Sequence, residues 1–151
     1  MDYLAAEGHL ALLAPGAVLA LWTLIMLFWT AATRFPAMSK LGIDIKAAPP
    51  GGRGQNLEGV IPDQVNWKSH NYTHLLEQPT LFYAVIILLA LAGGTSSLTV
   101  SLAWAYVAIR VVHSLWQALV NKLPVRFTLF LLSTLCLLIL TIKAVLLTLG
   151  H

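Results

Sequence analysis

Residues 66–83 read Asn-Trp-Lys-Ser-His-Asn-Tyr-Thr-His-Leu-Leu-Glu-Gln-Pro-Thr-Leu-Phe-Tyr, and they carry nearly every polar side chain of a segment that is otherwise apolar. Wound as a helix, the stretch brings Asn66, His70, Asn71, His74 and Glu77 to intervals of three and four, which makes one polar stripe along a single face. From Leu81 to Ala92 the same helix becomes almost wholly apolar. Glu77 is therefore carried toward hydrocarbon, where an unpartnered carboxylate costs several kcal/mol or takes up a proton. It needs a partner, and it marks a functional site.

Composition says where such a helix resides. The 151 residues are 58% hydrophobic and 10% charged, with a mean hydropathy of +0.80, far outside the range of a soluble domain of this size. The chain is an integral membrane protein. Its net charge of +3 does not indicate a nucleic-acid partner, because the nine Lys and Arg are scattered and five of them flank one loop, as membrane topology would place them. The single cysteine excludes an intramolecular disulfide, and no Cys-His zinc spacing is present, so no metal site is expected.

Outward from the stripe, four spans account for the whole chain as one all-α domain, residues 1–151. The first covers about 9–33, longer than the roughly 20 apolar residues needed to cross a bilayer. A cleaved signal peptide is disfavoured, since Asp2 and Glu7 stand where positive charge is wanted and the apolar run is too long. Phe35-Pro36 is expected to end this helix, because the residue before a proline is pushed out of helical geometry. A loop over 35–66 follows, broken by Pro49-Pro50-Gly51-Gly52-Arg53-Gly54. Its Gly-x-Gly pieces lack a preceding strand and a Gly-Lys-Ser/Thr ending, which excludes a nucleotide loop. The second span covers about 67–92, and the turn Gly93-Gly94-Thr95-Ser96-Ser97 makes the third, about 98–121, its antiparallel neighbour. Lys122-Leu123-Pro124 breaks the chain again, with the proline placed for the first turn of a fourth span over about 124–149.

Basic residues set the orientation. Arg34, Lys40, Lys46, Arg53 and Lys68 flank the first loop, and Lys122 and Arg126 the third, so both loops are expected in the cytoplasm and both termini on the opposite side. Lys143 in the fourth span is an exception, either snorkelling to the far interface or facing a neighbouring helix.

Depth bookkeeping yields a candidate pair. Arg110 lies eleven residues before Asn121 and Glu77 eleven after Asn66, roughly 16 Å in each case, on antiparallel neighbours. A Glu77–Arg110 ion pair is expected, which would let both remain charged. His113 and Gln117 follow Arg110 at one-turn intervals, and Arg126 completes a ring of donors at the mouth. Each has a plainer reading: the pair can serve only to lock helices, and His70 can simply be solvated at the interface. The five tryptophans suit interfacial anchoring and packing, and Cys136, between leucines, suits a buried small hydrophobe.

The order and depth of these features resemble the MAPEG family, the membrane-associated proteins of eicosanoid and glutathione metabolism. The resemblance rests on four spans, Glu77 in the polar stretch of the second, Arg110-Val-Val-His113 in the third and Leu123-Pro124-Val125-Arg126 opening the fourth, over about residues 10–150. Residues 70–83 look most like bacterial members, which implies the bacterial inner membrane. The resemblance further implies a homotrimer of four-helix protomers, with glutathione as co-substrate bound between subunits near the cytoplasmic side. Arg126 matches the arginine that stabilises the glutathione thiolate. Arg34, Glu77, Arg110 and His113 match positions that hold the tripeptide or its supporting ion pairs, with His70, Asn71 and His74 in the same polar stretch. The implied reaction is a glutathione transferase or peroxidase acting on a small lipophilic electrophile taken from membrane lipid; the alternative is a non-catalytic lipid-binding or scaffold protein of the same fold.

This chain departs from the family pattern at four positions. His74 stands where an asparagine is usual and His70 where glutathione-binding members carry arginine. Gln117 and Phe130 replace two tyrosines. Several glutathione contacts are thereby altered, and Arg53 in the long loop is one candidate substitute.

Overall fold

The computed structural model describes the backbone of residues 3–150 and the side chains of residues 9–150. Four long helices form an up-and-down bundle: α1 Tyr3–Lys40, α2 Asp63–Leu91, α3 Ser97–Leu119 and α4 Leu123–Leu149. Two short 3-10 turns, Ile45–Ala47 and Gly54–Leu57, interrupt the loop between α1 and α2. No strand occurs among the described residues, and all four helices are long and apolar enough to cross a membrane.

The bundle is held by narrow stripes. Leu12, Leu19 and Met26 of α1 are fully buried at seven-residue spacing, with Thr23 between the last two and Thr30 one turn beyond Met26, the seam expected of helices crossing at a shallow angle. Each of those threonines returns its hydroxyl to the carbonyl four residues earlier, so a polar atom enters the core already satisfied. Leu75, Phe82, Ile86 and Leu89 of α2 meet Ala103, Tyr106 and Val107 of α3 and Leu137, Leu140 and Ala144 of α4. Phe82 stacks on Tyr106 with ring centroids 4.3 Å apart. The outside is greasy instead of polar: Phe28 is 70% exposed and Leu91 81%. Such a surface is stable only against lipid or another apolar protein face.

The first loop is shorter than expected at both ends. The helix does not stop at Phe35-Pro36; α1 runs through Pro36 to Lys40, which corrects both the 9–33 span and the 35–66 loop. What stops it is Gly42, whose left-handed φ of 68° lets Ile43 N–H reach Met38 O at 3.0 Å, a Schellman closure. A proline near a helix end forfeits one hydrogen bond, and burial of Met38 offsets that loss. At the other end α2 begins at Asp63, after Pro62, because its first turn is polar and precedes the apolar run. Gly93 (φ 68°) ends α2 in the same way, with Gly94 N–H on Leu89 O at 2.7 Å. Pro124 sits in the first turn of α4, as expected.

Candidate functional site

On the loop side of the bundle, polar side chains from all four helices meet in layers. The lowest is a three-helix node. Ser114 Oγ on α3 accepts from Trp22 Nε1 of α1 at 3.0 Å and from Asn71 Nδ2 of α2 at 2.6 Å. Ser114 and Asn71 are fully buried. Trp22 is therefore more than an interfacial anchor, and Ser114, one turn after Arg110, was readable only from its 3-4 spacing with Arg110 and Gln117.

One turn deeper lies Arg110, with 0% exposure. The expected ion pair with Glu77 does not form: no carboxylate of the described residues lies within 4.0 Å of its guanidinium. Instead Arg110 Nη2 donates to the His74 carbonyl at 3.1 Å, and Nη1 meets His74 Nε2 at 3.4 Å. Glu77 turns outward with its side chain 62% exposed, and its Oε2 lies 2.8 Å from His74 Nδ1. The reason is angular. At 3.6 residues per turn, Asn71 and Glu77 are about 120° apart, so spacings of three and four do not confine five residues to one face. With Asn71 pointing to the core, Glu77 must point away from it.

The His74 ring is wedged between His113 of α3, with centroids 5.1 Å apart, and Phe130 of α4, at 5.6 Å. Arg126, in the first turns of α4, acts electrostatically on both histidines. It is tethered by a 2.7 Å bond from Nη1 to Asn121 Oδ1, and Asn121 itself takes the left-handed conformation (φ 57°) that closes α3. His74, Glu77, Arg110, His113 and Arg126 thus converge.

The other three expected residues do not join them. Asn71 belongs to the Ser114 node. His70 is exposed and pairs through Nε2 with Glu58 Oε1 of the loop at 3.0 Å. Arg34 lies beneath the loop, lining a cavity of about 700 Å³ with Phe35, Ile45, Pro50, Arg53 and Asn56. Gly54 packs against the Arg34 guanidinium, whose Nη1 would lie 2.8 Å from a Cβ at that position. Above the site a further layer crosses three helices: Tyr106 Oη donates to Gln78 Oε1 at 3.3 Å, Gln78 Nε2 to Thr134 Oγ1 at 2.8 Å, and Thr134 to the Phe130 carbonyl.

Three guanidiniums in this half share one feature. The Nε atoms of Arg34, Arg110 and Arg126 are buried and have no acceptor. Charged donors left open in a low-dielectric interior fit an anionic ligand, and carboxylates and phosphates are the anions that match the guanidinium fork.

Fold and site together define a four-span membrane protein with a cationic, histidine-flanked polar centre inside an apolar exterior. Residues 12–146 match the model of the MAPEG family, and the chain belongs to that family. No curated protein and no solved structure matches it.

Proposed function

We propose that the protein is a glutathione-dependent transferase or peroxidase that acts on a lipophilic electrophile taken from the bilayer. The observation that carries this reading is the pair of buried Nε donors without acceptors, on Arg110 and Arg126, beside His74 and His113. Glutathione offers two carboxylates and a thiolate to these donors and an ammonium to Glu77. Arg126 stabilises the thiolate, because a cation beside sulfur raises the thiolate fraction near neutral pH. The thiolate sulfur then bonds to the electrophilic carbon, the leaving group departs with its electron pair, and the thiol proton passes to solvent. Arg34, His113 and Arg110 hold the tripeptide, with Arg34 acting from a neighbouring subunit.

The active form in this reading is a homotrimer. Glu77 sits fourteen residues from either end of α2, midway along a helix long enough to cross a membrane, and shares the outward face of α2 with Thr73 and Thr80, all exposed. Polar groups at that depth are far cheaper against a neighbouring protomer than against lipid tails. The basic loops face the cytoplasm and the termini face away, across a bacterial inner membrane. The second reading, a non-catalytic lipid-binding scaffold, draws its support from Gln117 and Phe130, which replace two family tyrosines.

A thiol-conjugation assay with glutathione and a generic electrophile, comparing wild type with Arg126→Ala, separates the two. The transferase reading expects turnover in the wild type and a loss of about a hundredfold in kcat/KM in the variant. Equal rates would remove Arg126 from the mechanism, and no turnover over background in the wild type would leave the scaffold reading.

A further inference from the structure

His74 stands between two opposite charges that do not touch each other. Glu77 Oε2 lies 2.8 Å from its Nδ1, and Arg110 Nη1 lies 3.4 Å from its Nε2. A carboxylate only accepts, so the ring nitrogen facing Glu77 carries a proton; a guanidinium only donates, so the nitrogen facing Arg110 must be bare. Both neighbours select the same species, the neutral imidazole with its proton on Nδ1. The ring cannot turn away easily, because His113 and Phe130 press on it from α3 and α4. The main-chain carbonyl of the same residue takes the second Arg110 donor at 3.1 Å, so His74 supplies every acceptor that the buried guanidinium has.

We propose that His74 is a positioning residue for the ligand site: as the Nδ1-protonated neutral imidazole it relays the Glu77 carboxylate to Arg110 and holds the guanidinium with Nε turned to an anionic ligand. The part that concerns the ligand rests on the glutathione reading above; the relay itself does not. Protonation at Nε2 ends the relay. An N–H would then face an N–H, and two cations would stand against each other. The charged or titratable groups around the ring are Glu77 on α2, Arg110 and His113 on α3, and Arg126 on α4. Only one of these is an anion, and it lies on the Nδ1 side, so nothing compensates at Nε2. The relay is intact while His74 is neutral and is lost as pH falls through its titration.

The experiment uses the full-length protein in mild detergent and the variant His74→Asn, whose amide can accept from Arg110 and donate to Glu77 but cannot titrate. Imidazole nitrogen shifts of labelled wild type, with His74 assigned as the signals missing in His74→Asn, read the tautomer directly. A protonated Nδ1 with a bare Nε2 at neutral pH is expected, and a protonated Nε2 overturns the relay. Glutathione affinity is then measured in steps from about pH 7.5 down to about pH 4.5. Wild type is expected to lose affinity progressively in acid, by at least about twofold more than His74→Asn. Equal acid losses in both proteins would place the effect outside His74 and overturn the proposal. If neither protein binds glutathione at any pH, the glutathione reading fails alone. Thermal stability without ligand then decides the relay, which requires a larger acid-induced fall in Tm for wild type than for His74→Asn.

Discussion

The two ends of the bundle treat their polar atoms differently. Away from the loop, Lys143 donates to Ser96 Oγ and Thr99 Oγ1, Thr99 in turn bonds the Gly94 carbonyl, and the Tyr106–Gln78–Thr134 chain is closed at every link. The only buried side-chain polar atom without a partner there, among the described residues, is the Thr95 hydroxyl. On the loop side, Arg34, Asn66, Asn71, Arg110, Gln117 and Arg126 each leave one buried atom unmatched. Closed layers are cheap fasteners between helices, whereas an open layer of three guanidinium donors and three amide oxygens is stable only if something else supplies the partners. The difference separates scaffold from site without reference to sequence position. It also places Lys143 against the start of α3, where Ser96 and Thr99 accept from its ammonium.

Arg110→Leu attacks the open layer and carries the largest expected effect. A buried cation with only neutral partners is costly, so replacing it by an apolar residue should leave the Tm of ligand-free protein unchanged or raise it. Glutathione affinity should nevertheless fall about a hundredfold, as read by calorimetry. A large drop in Tm would mean that Arg110 has an anionic partner even without ligand. Ser114→Ala strands the Trp22 and Asn71 donors and should cost roughly 2 kcal/mol of stability in a denaturation series; a loss below about 0.5 kcal/mol would show that water or a shifted rotamer replaces the hydroxyl. Tyr106→Phe opens the closed layer at one link. Its expected cost is about 0.6 kcal/mol, typical of hydrogen bonds between membrane helices, with no change in ligand affinity. The smallest effect is a coupling. Because Glu77 and Arg110 meet only through His74, the Glu77→Gln, Arg110→Leu double-mutant cycle in Tm-derived stability should give an interaction of about 0.5 kcal/mol, the low end for residues in one hydrogen-bond network. A coupling of several times that size would restore a direct ion pair.

The sequence by itself determined the class of protein, the number of spans, the order of the helices and most of the converging residues. Hydropathy is a property of composition over a span's length, and a 20-residue apolar run has few other stable fates. Pro124 at the start of α4 and a short turn expected at 93–97, observed between Leu91 and Ser97, followed from local residue chemistry, and the one-turn spacing of Arg110 and His113 from a helix of fixed rise. Rotation was another matter. A shift of one position turns a side chain by about 100°, so depth placed Glu77 beside Arg110 while the packing of Asn71, Leu75 and Pro79 against the core turned it away. The stop of α1 differs from the sequence expectation for a related reason: Pro36 is a local penalty, and burial of Met38 plus the left-handed Gly42 outweighs it. Which polar atoms close on each other, and which three guanidinium nitrogens are left open, depends on angstrom-scale contacts between helices distant in sequence. Only the packed bundle decides that.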